Sequence, residues 1–183
     1  MQKVILEKIN INQTVVTQSR HRKEWIAELV IKNGWTRGAE LGVYKGDTTF
    51  FVLDRCPDLH MIAVDLWAAQ PDNAGIENYT AARLKHEYHF GNVTARAKKS
   101  GRVTVLREDT VIAADMVDDG SLDFVFIDAD HCRAAEDIEA WTPKLNATGK
   151  LMGHDINWKV VKDDVDRLIG DYHVGPNECW LQK

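Results

Sequence analysis

The chain has 183 residues, 44% of them hydrophobic and 28% charged, with a formal net charge of −5. This is the composition of a globular domain with a substantial core. The acidic balance argues against a broad nucleic-acid-binding face, and no apolar run approaches the roughly 20 residues needed to cross a membrane.

Residues 1–19 are weakly patterned and read as an N-terminal arm. Their apolar centre is short and broken by Glu7, so they do not read as a signal peptide. From Arg20 to Lys32 the residues Trp25, Ile26, Leu29 and Val30 form a helical stripe, closed by Asn33-Gly34 as a left-handed cap. A strand is predicted over 37–41 and a helix over 47–55, which Cys56-Pro57 ends. Leu59 to Val64 is an apolar run suited to a strand buried on both faces.

The stretch 67–100 is the least regular. Residues 70–75 read as a loop, 76–90 as a helix, and Gly91-Asn92 as its break. This is longer than a simple crossover needs. It reads equally as a lid or substrate wall and as an ordinary crossover helix with a basic face. Strands follow at 103–106, 123–127 and 148–153, with helices at 111–117, 132–141 and 160–169. Residues 172–181 read as a closing antiparallel hairpin. Alternating strands and helices predict one α/β domain, a mostly parallel sheet with helices on both faces.

The three cysteines, Cys56, Cys132 and Cys179, are too scattered for a disulfide framework or a zinc site. A reducing cytoplasm is the expected compartment.

The chemistry gathers at the carboxyl ends of the predicted strands, where α/β sheets bind ligands. Glu40, Asp65, Asp109, Asp128 and Asp155 each stand at such an end. The first strand enters Glu40-Leu-Gly42-Val-Tyr44-Lys-Gly46-Asp-Thr48, a glycine turn opening a helix. The Lys-Ser/Thr of a phosphate loop is missing, and the spacing of Gly42 and Gly46 is wrong for a dinucleotide fingerprint. An acid beside free backbone N–H groups suits a ligand carrying both an ammonium and a carboxylate, such as an amino acid. Asp65 follows Gly46 by 19 residues, close to the spacing of about 20 between a glycine turn and a ribose-binding acid. Asp109 and Thr110 can meet an adenine amine or simply cap the next helix.

These segments resemble the class I S-adenosylmethionine (SAM)-dependent methyltransferases. The residues that carry the resemblance are Glu40-x-Gly42-x-x-x-Gly46, then Asp65, Asp109, Phe126-Ile-Asp128-Ala-Asp-His131, Gly149-Lys-Leu-Met-Gly-His154-Asp155 and a terminal hairpin. The likeness runs from about residue 20 to the end. Within that class the chain is similar to the small bacterial O-methyltransferases and the cephalosporin-hydroxylase-like proteins.

The resemblance implies a Rossmann-like, seven-stranded sheet with an antiparallel last strand. It implies that Glu40, Gly42 and Gly46 hold the methionine part of SAM, Asp65 the ribose, and Asp109 with Thr110 the adenine, with Tyr44, Thr48 and Leu66 also among the cofactor-binding residues. Asp128 would lie near the transferred methyl, and the acceptor would be a small molecule with oxygen as the expected methyl-accepting atom. Some relatives of this class bind Mg²⁺ through acids matching Asp128 and Asp155, but Ile156 stands where a second ligand is expected. A divalent metal on Asp128 and Asp155 is therefore one expectation, and His131 or His154 as general base is the other. A SAM- or nucleoside-binding module without catalysis remains open. So does a metal enzyme of another class built on Asp128, His131, His154 and Asp155. The six tryptophans leave room for a homodimer face.

Overall fold

The computed structural model describes residues 21–68 and 76–183. The N-terminal arm and the predicted loop 70–75 lie outside them.

Each short apolar run becomes a strand of one seven-stranded sheet. In chain order the elements are α1 (Arg22–Asn33), β1 (Arg37–Leu41), α2 (Asp47–Arg55), β2 (His60–Val64), α3 (Ile76–Ser100), β3 (Val103–Leu106) and α4 (Thr110–Ala114). They continue with β4 (Leu122–Ile127), α5 (Ala134–Trp141), β5 (Leu145–Gly153), α6 (Lys159–Leu168), β6 (Tyr172–Val174) and β7 (Trp180–Gln182). The strand order is β3-β2-β1-β4-β5-β7-β6. Neighbours from β3 to β5 are parallel, and β7 is antiparallel to both β5 and β6.

Two apolar layers hold the sheet. On one face Ile26 and Val30 of α1, Phe50 and Leu53 of α2, and Val93 and Ala97 of α3 pack together. On the other, Ala113 and Ala114 of α4, Ile138 and Trp141 of α5, and Val161 and Val165 of α6 do the same. The change of face falls between β1 and β4, so their carboxyl ends flank a natural crevice. At the opposite pole of α2, Arg102 donates to the carbonyls of Leu53, Cys56 and Leu59 at 2.9–3.1 Å.

Several boundaries differ from the sequence expectation; β5, expected from residue 148, begins at Leu145. Gly91-Asn92 does not break α3, which is continuous over 25 residues. Gly91 is exposed with open space around it, so its cost of about 1 kcal/mol is backbone entropy alone. Burial of Val93 and Ala97 on the sheet offsets that cost. The helix expected over 111–117 ends at Ala114. The helix expected to start at residue 132 begins instead with a 3₁₀ turn, His131–Arg133, which Asp130 caps by accepting from the Cys132 N–H at 2.9 Å.

Among the described residues no helix is long and apolar enough to cross a membrane. All three cysteines are free, with Cys56 and Cys179 buried and Cys132 exposed.

Candidate active site

The β1–α2 turn is pressed onto the end of β4. Gly42 has φ 87°, and a Cβ there would lie 2.0 Å from the carbonyl oxygen of Asp128. Only glycine permits this approach. Gly42 N–H donates to Val64 O at 2.9 Å and Asp128 N–H to Leu41 O at 2.8 Å, so the turn stays locked to both neighbouring strands. Gly46, also left-handed, is the N-cap of α2.

Glu40 stands behind this turn rather than in the open. It is 2% exposed and accepts a short hydrogen bond from the Thr49 hydroxyl. Burial pushes its carboxyl up to about 8, against the Thr49 bond; Asp128 adds to the rise and Arg22 opposes it. Without a ligand Glu40 therefore holds a proton at neutral pH. A cation arriving beside it would favour the carboxylate.

Asp65, at the end of β2, ties two loops together. Its Oδ2 accepts from the Tyr44 N–H at 2.7 Å and its Oδ1 from the Trp67 N–H at 2.6 Å. The Trp67 indole donates to the Tyr44 carbonyl at 2.7 Å. A carboxylate has about four acceptor sites, so Asp65 keeps capacity for a diol. Arg107 fixes the same loop by donating to the carbonyls of Leu66 and Trp67, and it pairs with Glu87 of α3. The Tyr44 ring meets His89 of α3 edge-on at a centroid distance of 4.6 Å.

Asp109 caps α4, accepting from the N–H groups of Val111 and Ile112 at 3.0 and 3.4 Å. It also takes a 2.5 Å ion pair from Arg133. The Arg133 hydrogen bond holds its carboxyl below the usual range, with the cap bonds helping. Behind this pair Asp137 is buried, and burial pushes its carboxyl up to about 6.

Several of these groups open onto a cavity of about 430 Å³, within the size range of small-ligand sites, but Glu40, Gly46 and Asp137 do not line it. Gly42, Tyr44, Asp65, Leu66, Asp109, Thr110 and Asp128 all line it. Thr48 does not: it lines a second cavity of about 350 Å³ with Arg22, Asp47, His154 and Asn177.

Asp128 lines the first cavity and contacts two residues of the second. One oxygen pairs with Arg22 of α1 at 2.9 Å, and the other is 3.7 Å from His154 Nδ1. Burial raises its carboxyl above the usual range, and Arg22 opposes this. His154 Nδ1 is 2.9 Å from Asp155 Oδ1, yet the approach is too far out of line for a hydrogen bond, and the nitrogen is buried without a partner among the described residues. Asp155 takes a 2.7 Å contact from His131 Nε2 on its other oxygen. Burial would raise Asp155, but the two histidines hold it below the usual range. His131 itself lines neither of these two cavities but a small one of about 20 Å³ shared with Asp128, His154 and Asp155; its ring stacks on Trp158 at 4.5 Å. Donor atoms of Asp128, His154 and Asp155 fall within 4.8 Å of one another.

Arg22 and Arg133 were not among the residues the sequence singles out. Arg133 lies 24 residues after Asp109, and no local pattern links the two. Nothing in the local pattern of α1 points Arg22 at a strand so remote in the chain.

The model of a methyltransferase domain matches residues 39–156, more than half of the chain. The chain belongs to this methyltransferase family. It is a SAM-dependent methyltransferase of the Rossmann-like class. A search of curated protein sequences found no match. Among solved structures, the methyltransferase is similar to a Staphylococcus aureus protein assigned as a caffeoyl-CoA O-methyltransferase. Identity is 17%, 91% of this chain and 84% of that one are covered, and the TM-score is 0.67. It is similar also to the Podospora anserina methyltransferase PaMTH1 bound to SAH, at 15% identity, 90% and 78% coverage and a TM-score of 0.62. At these identities the likeness is one of fold. The matched segment spans both walls of the methyltransferase crevice, from β1 to the residue after Asp155.

Proposed function

We propose that this methyltransferase moves the methyl group of SAM to a hydroxyl oxygen of a small molecule. The observation that carries the reading is Asp128, which lines a cavity fit for the nucleoside and contacts Arg22 and His154, both of which line a second cavity. The first would seat SAM, with Glu40 behind the ammonium, Asp65 and Leu66 at the ribose, and Thr110 with the Asp109–Arg133 pair walling the base. SAM supplies a methyl already activated on a sulfonium, so the protein need only orient the acceptor and manage one proton. The second cavity would seat the acceptor. His154 there is the proposed general base, and Asp155, fixed by His131, stabilises the imidazolium that results. Holding the oxygen in line with the methyl supplies much of the rate enhancement.

His131 supports this base from outside these two cavities rather than acting as one. Thr48 belongs with the acceptor in this reading. Three free thiols suit the reducing cytoplasm.

The close approach of Asp128, His154 and Asp155 favours a second reading, in which a divalent ion takes part. Two carboxylates and an imidazole suit Zn²⁺, Mn²⁺ or Fe²⁺. As arranged, the residues do not fit one. Arg22 already holds one oxygen of Asp128 and His131 one of Asp155. An ion placed on Asp128 would face a guanidinium that it must first displace.

The test is label transfer from methyl-tritiated SAM to a panel of phenols, hydroxy acids and amines, run with and without chelator. Methylated phenols or hydroxy acids formed at equal rates in chelator support the first reading. Amine products alone would overturn the oxygen assignment, and complete loss in chelator would favour the metal.

A further inference from the structure

Arg22 is the only guanidinium lining the second cavity among the described residues, and it reaches Asp128 at 2.9 Å from the first turn of α1. One terminal nitrogen is committed to that pair. A guanidinium carries five N–H donors in a rigid plane, so others remain for a group bound in the cavity. Its side chain is about one-third exposed, on the cavity side, whereas Asp128 is mostly buried. His154 lines the same cavity, with its Nδ1 near the other oxygen of Asp128. A proton acceptor and a fixed cation thus bracket one carboxylate and face one space.

We propose that Arg22 is a catalytic residue that donates a hydrogen bond to the acceptor oxygen and stabilises its negative charge. The inference rests on the proposed hydroxyl methylation and assigns its electrostatic partner. As the O–H bond breaks, the proton passes to His154 and the electron pair stays on oxygen, facing the guanidinium. That pair then forms the bond to the methyl carbon, while the pair of the carbon–sulfur bond returns to sulfur. Preorganised charge of this kind acts where charge develops. Asp128 keeps the guanidinium in place and partly balances it, so the cation does not depend on an ion recruited from solution. The acceptors that fit best are hydroxyls whose ionised form is accessible, such as phenols and enols.

The experiment uses 4-nitrophenol, a chromogenic phenol whose visible spectrum reports its ionisation. It is titrated onto wild-type protein, Arg22→Met and Arg22→Lys, each saturated with S-adenosylhomocysteine and held in chelator. Circular dichroism and S-adenosylhomocysteine calorimetry on the same samples check folding and cofactor binding. The expected result is a bound phenol whose apparent pKa in the wild type lies at least one unit below that in Arg22→Met, a tenfold change in ionisation. Arg22→Lys, which keeps the charge but loses the planar fork, should fall between. An equal spectrum in wild type and Arg22→Met, or no binding of the probe to the wild type at millimolar concentration, overturns the proposal. Should Arg22→Met fail to fold, the wild type and Arg22→Lys decide: a pKa shift in Lys as large as the wild type's overturns it, and a smaller one supports it. Failure of the oxygen reading registers separately, as label transfer to amines alone in the panel above.

Discussion

The backbone N–H of Tyr44 donates to Asp65 Oδ2 at 2.7 Å, and the chain returns the tie through the Trp67 indole, which donates to the Tyr44 carbonyl. Asp65 is therefore a clasp between the β1 and β2 loops, independently of the ligand it is proposed to hold. Tyr44 needs this, because its φ of 48° is unfavourable for a residue with a side chain.

Asp65→Asn separates these roles from simple charge. The amide places an N–H₂ group against one of two backbone N–H donors, so one bond is lost and a buried donor is left unpaired, at about 1–3 kcal/mol. We expect a melting temperature several degrees lower and SAM affinity reduced at least tenfold, read by calorimetry. Unchanged SAM affinity would remove Asp65 from the cofactor site.

Glu40 should make the protein's stability, and on the proposed reading its SAM binding, depend on pH. Its folded pKa, about 8, lies above the ordinary carboxylate value. The stabilisation from holding this proton is complete below the unfolded pKa and is lost as pH rises through the folded one. Between roughly pH 4.5 and 8 this one group lowers stability by up to about 1.4 kcal/mol per pH unit. Urea denaturation of Glu40→Gln should show a flatter pH profile and greater stability at pH 8. Binding of the SAM ammonium should ionise Glu40, so that about one proton is released per SAM near pH 7. Calorimetry in buffers of different ionisation heat measures it, and no net release would place the ammonium elsewhere.

Gly42 and Gly34 are both left-handed, and they differ in what surrounds them. A Cβ at Gly34 meets open space, whereas one at Gly42 meets backbone of β4. Gly34→Ala should cost about 1–2 kcal/mol, the price of backbone strain alone. Gly42→Ala should cost more than about 3 kcal/mol by combining strain with a backbone clash, and SAM binding should vanish. Equal losses in chemical denaturation would show that the β1 turn can slide away from β4.

Asp109 and Arg133 should couple in a double-mutant cycle by about 1 kcal/mol, since both are partly exposed. Asp109→Ala should cost about a further 1 kcal/mol for the lost cap of α4. Additive losses would mean that the pair is decorative.

The strands near the crevice were legible because they are short, apolar and closed by glycine or an acid. Arg37–Leu41, Asp47–Arg55 and Val103–Leu106 fall where their periodicity places them. The cavity-lining acids were legible for a related reason: in a parallel sheet all carboxyl ends meet on one edge. Gly91 misled because a glycine reads as a break in local terms, while the packing of its neighbours on the sheet decides the outcome. Side-chain pairings between distant elements left no trace either. The Arg22–Asp128 pair and the tie of Asp109 to Arg133 depend on where helices dock. So does the placement of Thr48 in the second cavity and of His131 outside both.

Arg102 has a consequence for the opposite end of its helix. By donating to carbonyls at the carboxyl end of α2, it neutralises the negative pole of that helix on the far side of the sheet from the crevice. The positive pole, at Gly46, meets the Asp47 carboxylate of its own first turn. Both ends of the helix are therefore offset by side-chain charge, and the backbone N–H groups of the turn meet a ligand as hydrogen-bond donors rather than as the end of an open dipole. A residue at the back of the molecule thus helps to set the field at the front.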